Sequence, residues 1–127
     1  MYQLAITRDF IAQHYLIGGD WGRENQKHSH HYQVQVRIEA DELDQHGYLI
    51  DIVKLESELS KIIDTFRDKT LNDLPAFQDL NPSLERFARV LWESLTESLP
   101  VAPGRLFVRL WENDTDWAAY HRFDERS

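Results

Sequence analysis

Histidines are the residues of this chain best suited to do chemistry. The sequence has six of them, and His28, His30 and His31 stand close together. Tyr32 and Val34 then begin an alternating apolar pattern that is typical of a strand. Because strand side chains alternate between two sides, His28 and His30 share the side of this apolar set. Both imidazoles are then within reach of one metal ion, whereas His31 points away and is excluded.

A third histidine shares this geometry. His14 lies on the apolar side of an alternating first strand; if the two strands form a hairpin, residues 15–27 connect them and His14 meets the other two. Three neutral imidazoles with one open position are typical of a catalytic zinc site. The competing interpretation is polar surface at a strand end. A cupin site is disfavoured, since Val34 and Gln35 occupy the region where a cupin has a glutamate.

The elements that position these residues follow from the apolar periodicity. Residues 2–14 alternate as a first strand, with a bulge expected near Arg8 and Asp9, and residues 32–38 alternate as a second strand. One side of the second strand is apolar and the other polar, which is typical of an antiparallel sheet.

Helical spacing of apolar residues predicts two helices after these strands. They cover residues 52–66 and 84–99. The second helix is expected to begin with Asn81 as N-cap and Pro82 in its first turn, where the missing N–H group costs nothing.

Two more strands complete the pattern. Residues 106–110 alternate again, and the aromatic-rich residues 117–123 predict a final strand. The order ββααββ indicates an α+β fold, a four-stranded, mostly antiparallel sheet with two helices on one face, in a single domain over 1–127. Because so small a sheet has two open edges, a homo-oligomer is expected.

Composition excludes several classes of function. With 22 acidic and 14 basic side chains the net charge is -8, which disfavours nucleic acid as a partner. The absence of cysteine excludes disulfides, thiolate metal sites and a cysteine nucleophile. No apolar run is long enough for a membrane span and no signal peptide is recognisable, so a cytoplasmic protein is expected.

A set of short motifs follows in order over nearly the whole chain. They are F-x-A-x-H at Phe10, Ala12 and His14; H-S-H-H-Y at 28–32; G-x-x-x-D-I at 47–52; L-N-D at 71–73; N-P-S-x-E at 81–85; and Glu112 after the third strand, with Tyr120 beyond it. This ordered set resembles the 6-pyruvoyltetrahydropterin synthase and 6-carboxytetrahydropterin synthase family, although serine replaces a glycine in the second motif. The resemblance implies the tunnelling fold.

The resemblance also implies an activity and roles for residues. It implies a lyase or synthase that acts on 7,8-dihydroneopterin triphosphate, with Zn2+ held by His14, His28 and His30 and with active sites between the subunits of a homo-oligomer. Glu112 would anchor the pterin, since a carboxylate can accept two parallel hydrogen bonds; an ordinary acidic residue at a strand end is the alternative. A 6-carboxytetrahydropterin product would place the chain in 7-deazaguanine (queuosine) biosynthesis.

Two further features depart from the family pattern, the base and the aspartate-histidine dyad. Glu24 stands where the family usually has its cysteine base, and a suitably tuned carboxylate can replace it; some relatives carry glutamate there. The family's aspartate-histidine dyad is replaced by Arg67 and Asp68. Asp68 would suit a base or an orienting group, while a structural ion pair between Arg67 and Asp68 is the alternative.

These departures leave other functions open. One is a non-catalytic member that binds zinc and a pterin, and another is an enzyme of the same fold acting on a different heterocycle. A triphosphate also needs local cations, and the basic side chains near the motifs could form a basic pocket mouth or be solvated surface. They are Arg23, Lys27, Arg67 and Lys69.

Overall fold

The α+β order predicted from the sequence is the order of the folded chain. A computed structural model describes residues 1–123. Its main elements are β1 (Tyr2–His14), β2 (His28–Ala40), α1 (Ile52–Asp64), α2 (Leu84–Ser98), β3 (Leu106–Trp111) and β4 (Trp117–Tyr120), with short 3-10 turns at Gly22–Asn25, Leu71–Asp73, Pro75–Phe77 and Pro103–Arg105. The arrangement is therefore ββααββ.

The four strands form one antiparallel sheet in the order β1-β2-β3-β4. The predicted bulge near Arg8 and Asp9 is wrong, because pairing with β2 runs without interruption from Tyr2↔Ala40 to His14↔His28. Arg8 fits the inward side of a regular strand since its guanidinium forms an ion pair with Glu56 of α1. The ion pair with Glu56 compensates the Arg8 charge, so the strand keeps its register.

The core lies between the sheet and the helices. The inward residues of β2 that the alternation identified are all buried. An aromatic cluster joins the two layers: the Phe10 and Tyr32 rings stack at 5.5 Å, and Phe87 of α2 meets them edge-on at 5.9 and 5.1 Å. The indole of Trp92 donates a hydrogen bond of 2.8 Å to the carbonyl of Leu106. These contacts fix α2 against the sheet.

The helix starts differ in one respect from the prediction. Asp51 caps α1 by accepting from the amide of Val53 at 2.9 Å. The cap of α2 is Ser83, which accepts from the amide of Arg86 at 3.2 Å, so the prediction of Asn81 as N-cap is wrong. Asn81 is engaged elsewhere, and Pro82 precedes the helix rather than lying in its first turn.

The last strand is shorter than predicted. It ends at Tyr120, the partner of Val108, instead of reaching Phe123. His121 leaves the ladder because its ring stacks on Phe107 at 3.8 Å and its Nε2 contacts the carbonyl of Gly104 at 3.0 Å. The helices of the described part of the chain are all too short or too polar to span a membrane.

Candidate metal centre

The β1–β2 hairpin brings three imidazoles together at its open end. His14 pairs with His28 in the antiparallel register, and His30 lies two residues further along β2 on the same side. The Nε2 atoms of His14 and His28 are 3.0 Å apart, and those of His28 and His30 are 3.1 Å apart. The sequence prediction that these three histidines converge is therefore confirmed.

Backbone carbonyls orient two of the rings. His14 Nδ1 donates to the carbonyl of Pro82 at 2.9 Å, and His28 Nδ1 donates to the carbonyl of Gln26 at 2.8 Å. A carbonyl can only accept, so the proton of each neutral ring is on Nδ1 and the lone pair is on Nε2. The two lone pairs therefore point into the cluster, where they could bind a metal ion.

This donor set fits a divalent cation of the zinc type. Tetrahedral bonds of about 2.0–2.1 Å require nitrogens about 3.3 Å apart, close to the separations found here. Two nitrogen lone pairs that face each other cannot form a hydrogen bond, whereas a shared cation satisfies both. Burial lowers the pKa of His14 to about 4, so this ligand is neutral at pH 7.

His31 lies apart from this cluster, as its position in the strand predicts. It lies on the other face of the sheet, where its Nε2 contacts Asp9 at 2.6 Å. The His31 imidazole beside Asp9 lowers the pKa of that carboxyl. This exposed pair takes no part in the metal centre.

Two asparagines hold the segment that follows His14. The backbone N–H of Tyr15 donates to Asn72 Oδ1 at 3.0 Å, and Asn72 Nδ2 donates back to the Tyr15 carbonyl at 2.9 Å. The amide of Ile17 donates to Asn81 Oδ1 at 3.0 Å. The asparagines of the L-N-D and N-P-S-x-E motifs therefore fix the exit of β1 beside the metal ligands, a role that sequence reasoning missed.

A pocket of about 210 Å³ opens beside His14. Glu24 and Glu112, which the sequence singled out, both line it. Glu112 Oε2 is 4.0 Å from His30 Nε2, and Glu24 lies in the exposed turn Gly22–Asn25. The sequence predicted no pocket role for the remaining lining residues; they are Leu16, Trp21, Asn81, Ser83, Leu84 and Glu85.

Asp68 does not line this pocket in the described part of a single chain. It lies just beyond α1 with a φ of 60°, exposed, and its amide donates to the carbonyl of Ile11 at 2.7 Å. Arg67 forms its ion pair with Asp64, at 3.4 Å, so the alternative of a pair between Arg67 and Asp68 is not the contact that forms. The segment lies along the open edge of β1.

The charge of the pocket is negative. Its titratable lining consists of His14 and the carboxylates of Glu24, Glu85 and Glu112, and the lining contains no lysine or arginine among residues 1–123. The four cations considered from the sequence are therefore outside the pocket of their own chain.

Comparison with known proteins agrees with this architecture. A family model described as 6-pyruvoyl tetrahydropterin synthase matches residues 3–122. The 6-pyruvoyl tetrahydrobiopterin synthase of Pongo abelii is 29% identical over 96 residues, which cover 73% of this chain and 65% of that protein. The chain thus spans slightly less than two thirds of the length of this relative.

Solved structures show the same fold. The 6-pyruvoyl tetrahydropterin synthase of Caenorhabditis elegans superposes with a TM-score of 0.85 at 24% identity, over 95% of each chain. A Plasmodium vivax 6-pyruvoyltetrahydropterin synthase, in a variant whose catalytic glutamate is replaced by alanine, superposes with a TM-score of 0.77 at 15% identity, over 95% of this chain and 97% of that one.

Proposed function

The chain belongs to the 6-pyruvoyl tetrahydropterin synthase family, and from this premise we propose that it is a zinc-dependent lyase or synthase acting on the side chain of 7,8-dihydroneopterin triphosphate. The observation that carries the proposal is the convergence of the three Nε2 atoms at 3.0 and 3.1 Å beside a pocket with two suitable carboxylates. His14, His28 and His30 hold the ion. When bound, zinc supplies a Lewis acid that polarises oxygens of the substrate side chain.

Glu112 is the proposed anchor for the pterin. Its carboxylate lies in the pocket, 4.0 Å from His30 Nε2, so a ring bound there brings its side chain to the metal ligands. A carboxylate accepts two parallel hydrogen bonds from a ring N–H and the adjacent amino group. This pairing fixes the orientation of the heterocycle and leaves its side chain directed at the histidines.

Glu24 is the proposed general base. It lies in the same pocket as His14, and its negative charge acts electrostatically on that ring. The Plasmodium vivax structure supports a carboxylate in such a role, because the residue replaced there is a glutamate described as catalytic. In our proposal the Glu24 carboxylate removes a proton from the substrate side chain while Glu112 holds the ring.

Assembly would complete the site. The single-chain pocket has three carboxylates and no lysine or arginine in the described residues, although the substrate carries a triphosphate. We propose a homo-oligomer in which a neighbouring subunit supplies cations and brings Asp68, exposed at the edge of β1, close to the pocket. Light scattering on the zinc-loaded protein tests the homo-oligomer, and a monomer would contradict the proposed assembly.

A turnover experiment tests the activity. Zinc-loaded protein is incubated with 7,8-dihydroneopterin triphosphate, and the products are separated by chromatography. Glu24→Gln should remove most turnover and retain zinc, while Glu97→Gln, on an exposed part of α2 away from the pocket, should leave turnover unchanged. No turnover above a blank would contradict the proposal, and full activity of Glu24→Gln would contradict the base assignment.

The same chromatogram identifies the product and the pathway. We propose a cytoplasmic enzyme of pterin metabolism, and a 6-carboxytetrahydropterin product would assign it to 7-deazaguanine (queuosine) biosynthesis. A 6-pyruvoyltetrahydropterin product would exclude that pathway.

A second candidate is a zinc- and pterin-binding protein without activity. The observation that favours it is the replacement of the family's aspartate-histidine dyad by Arg67 and Asp68, of which the arginine pairs with Asp64. Tight binding of a pterin that is recovered chemically unchanged would support this candidate. Turnover would exclude it, and a screen of other heterocycles would separate it from an enzyme with a different substrate.

A further inference from the structure

Three hydrogen bonds within the segment from Leu16 to Asn25, here called the pocket loop, are made by one side chain. Asn25 Nδ2 donates to the carbonyls of Leu16 and Gly19, both at 3.0 Å, and Asn25 Oδ1 accepts from the amide of Trp21 at 2.7 Å. A further backbone bond of 2.8 Å runs from the amide of Leu16 to the carbonyl of Glu24. The Asn25 amide therefore uses both its acceptor and its donor group to give the loop one shape.

Trp21 is placed by this loop on the wall of the metal pocket. Its indole lies against Gly19 so closely that a Cβ atom there would be 2.6 to 2.9 Å from three carbons of the ring. The absence of a side chain at Gly19 is thus what makes room for the indole. Trp21 nevertheless remains 46% exposed while it lines the pocket beside His14 and Glu24.

Among the lining residues of this pocket within residues 1–123, Trp21 presents the exposed aromatic ring, since the ring of His14 is buried. The carboxylates of the lining suit the edge of a ligand or its positively charged groups, whereas apolar contact is available at Leu16, Trp21 and Leu84. Of these three, Trp21 alone offers a flat aromatic surface, and planar heterocycles gain binding energy by contact with such a surface.

We propose that Trp21 is the aromatic contact for the planar heterocycle bound in the metal pocket, and that Asn25 is the positioning residue that holds Trp21 and Glu24 in place. This inference rests on the proposed function, because it takes the ligand to be a pterin whose edge pairs with Glu112. It assigns substrate affinity to a residue that neither binds the metal nor transfers a proton.

Binding of neopterin to the zinc-loaded protein, measured by titration calorimetry, tests the aromatic contact. Trp21→Ala should weaken binding on the order of tenfold, and Trp21→Phe should weaken it less. Trp117→Ala is the matched control, since Trp117 is 50% exposed but lies on β4 outside the pocket lining. Equal affinity of Trp21→Ala and wild type would overturn the inference while leaving the proposed function intact. No binding by zinc-loaded wild type would overturn the inference, and the turnover experiment with 7,8-dihydroneopterin triphosphate would then decide the proposed function separately.

Gly19→Ala tests the placement of the indole without changing any hydrogen bond of Asn25. The added methyl group occupies the space of the Trp21 ring and should displace it, so neopterin binding should weaken to a similar extent as in Trp21→Ala. Gly19→Ala should shift the tryptophan emission, and the shift should be absent in the double variant Gly19→Ala/Trp21→Phe. Such a result would identify Trp21 as the ring that moves. Unchanged affinity and unchanged emission would contradict the close packing on which the inference depends.

The positioning role of Asn25 is tested by measuring kcat and KM separately for variants of this residue. Asn25→Ala removes all three hydrogen bonds and should lower kcat more than tenfold as well as raise KM, because Glu24 and Trp21 are both displaced; Trp21→Ala should mainly raise KM. Asn25→Asp keeps the acceptor for the Trp21 amide but turns a carboxylate oxygen toward the carbonyls of Leu16 and Gly19 in place of the donor, so it should also lower kcat. Bound zinc, measured in the same samples, should stay at the wild-type level. Wild-type kcat in Asn25→Ala would overturn the positioning role.

Discussion

Replacement of Asn72 should damage both the stability of the protein and its metal centre. The half-buried Asn72 amide accepts from the N–H of Tyr15 at 3.0 Å and donates to the carbonyl of the same residue at 2.9 Å. Asn72→Ala removes both bonds and leaves two backbone groups of Tyr15 without these partners. At about 0.5–1.5 kcal/mol for each bond, the free energy of unfolding should fall by about 1–3 kcal/mol.

Urea denaturation of the metal-free protein measures this loss, and two further variants calibrate it. Asn72→Asp retains the acceptor for the Tyr15 N–H but turns a carboxylate oxygen toward the Tyr15 carbonyl in place of the donor, so at neutral pH it should lose at least as much stability as Asn72→Ala. Asn113→Ala is the matched control, because Asn113 also makes two hydrogen bonds to the backbone, accepting from the amides of Thr115 and Asp116, but in an exposed loop where water replaces them. It should cost less than about 1 kcal/mol.

The effect on the metal follows from the position of Tyr15 directly after His14. Loss of the Asn72 clamp frees the backbone at this ligand, so competition with a chelator should show weaker zinc binding in Asn72→Ala than in Asn113→Ala. Wild-type stability together with wild-type zinc affinity in Asn72→Ala would refute the argument that this motif asparagine supports the metal centre.

Two further predictions concern acid and backbone strain. Burial lowers the pKa of His14 from 6.5 to about 4, so on acidification the unfolded chain binds a proton at a higher pH than the folded chain does. The free energy of unfolding of the metal-free protein should therefore be highest above pH 6.5 and fall by about 3 kcal/mol as the pH falls toward 4. Urea titrations between pH 7.5 and 4 measure this, and a His14→Asn variant should lack that part of the slope; an identical slope in both proteins would contradict it. Asp68→Ala should cost about 1 kcal/mol relative to Asp68→Gly because φ at this position is 60°, and thermal unfolding compares them; equal melting temperatures would contradict the left-handed conformation.

Much of the fold and the metal ligands could be predicted because both depend on short-range periodicity. The alternation of Tyr32 to Ile38 fixes which side of β2 is buried, and the same alternation places His28 and His30 together. To place His14 beside these two histidines, the prediction needed only that the two strands pair as a hairpin. Both inferences needed only local periodicity and the pairing of two neighbouring strands, and no contact between residues far apart in the sequence.

The features that sequence reasoning missed are long-range contacts. Asn81 resembles a helix N-cap, but its side chain accepts from Ile17, 64 residues away, and Ser83 takes the cap instead. A charged residue in the middle of an alternating strand suggested a bulge at Arg8, and only the tertiary ion pair with Glu56 removes the need for one. Trp21 lies in a glycine-rich stretch without periodicity, so its place in the pocket depends on the bonds of Asn25.

The central claim is that three imidazoles bind one divalent ion, and X-ray absorption spectroscopy of the zinc-reconstituted protein tests it most directly. The structure predicts one zinc per chain with three imidazole nitrogen ligands at about 2.0–2.1 Å and a fourth ligand that binds through oxygen or nitrogen. His28→Ala should lose the bound ion, while His46→Ala, in an exposed loop, should keep it. Protein that remains metal-free after reconstitution, or zinc that stays bound with fewer than three imidazoles, would contradict the account.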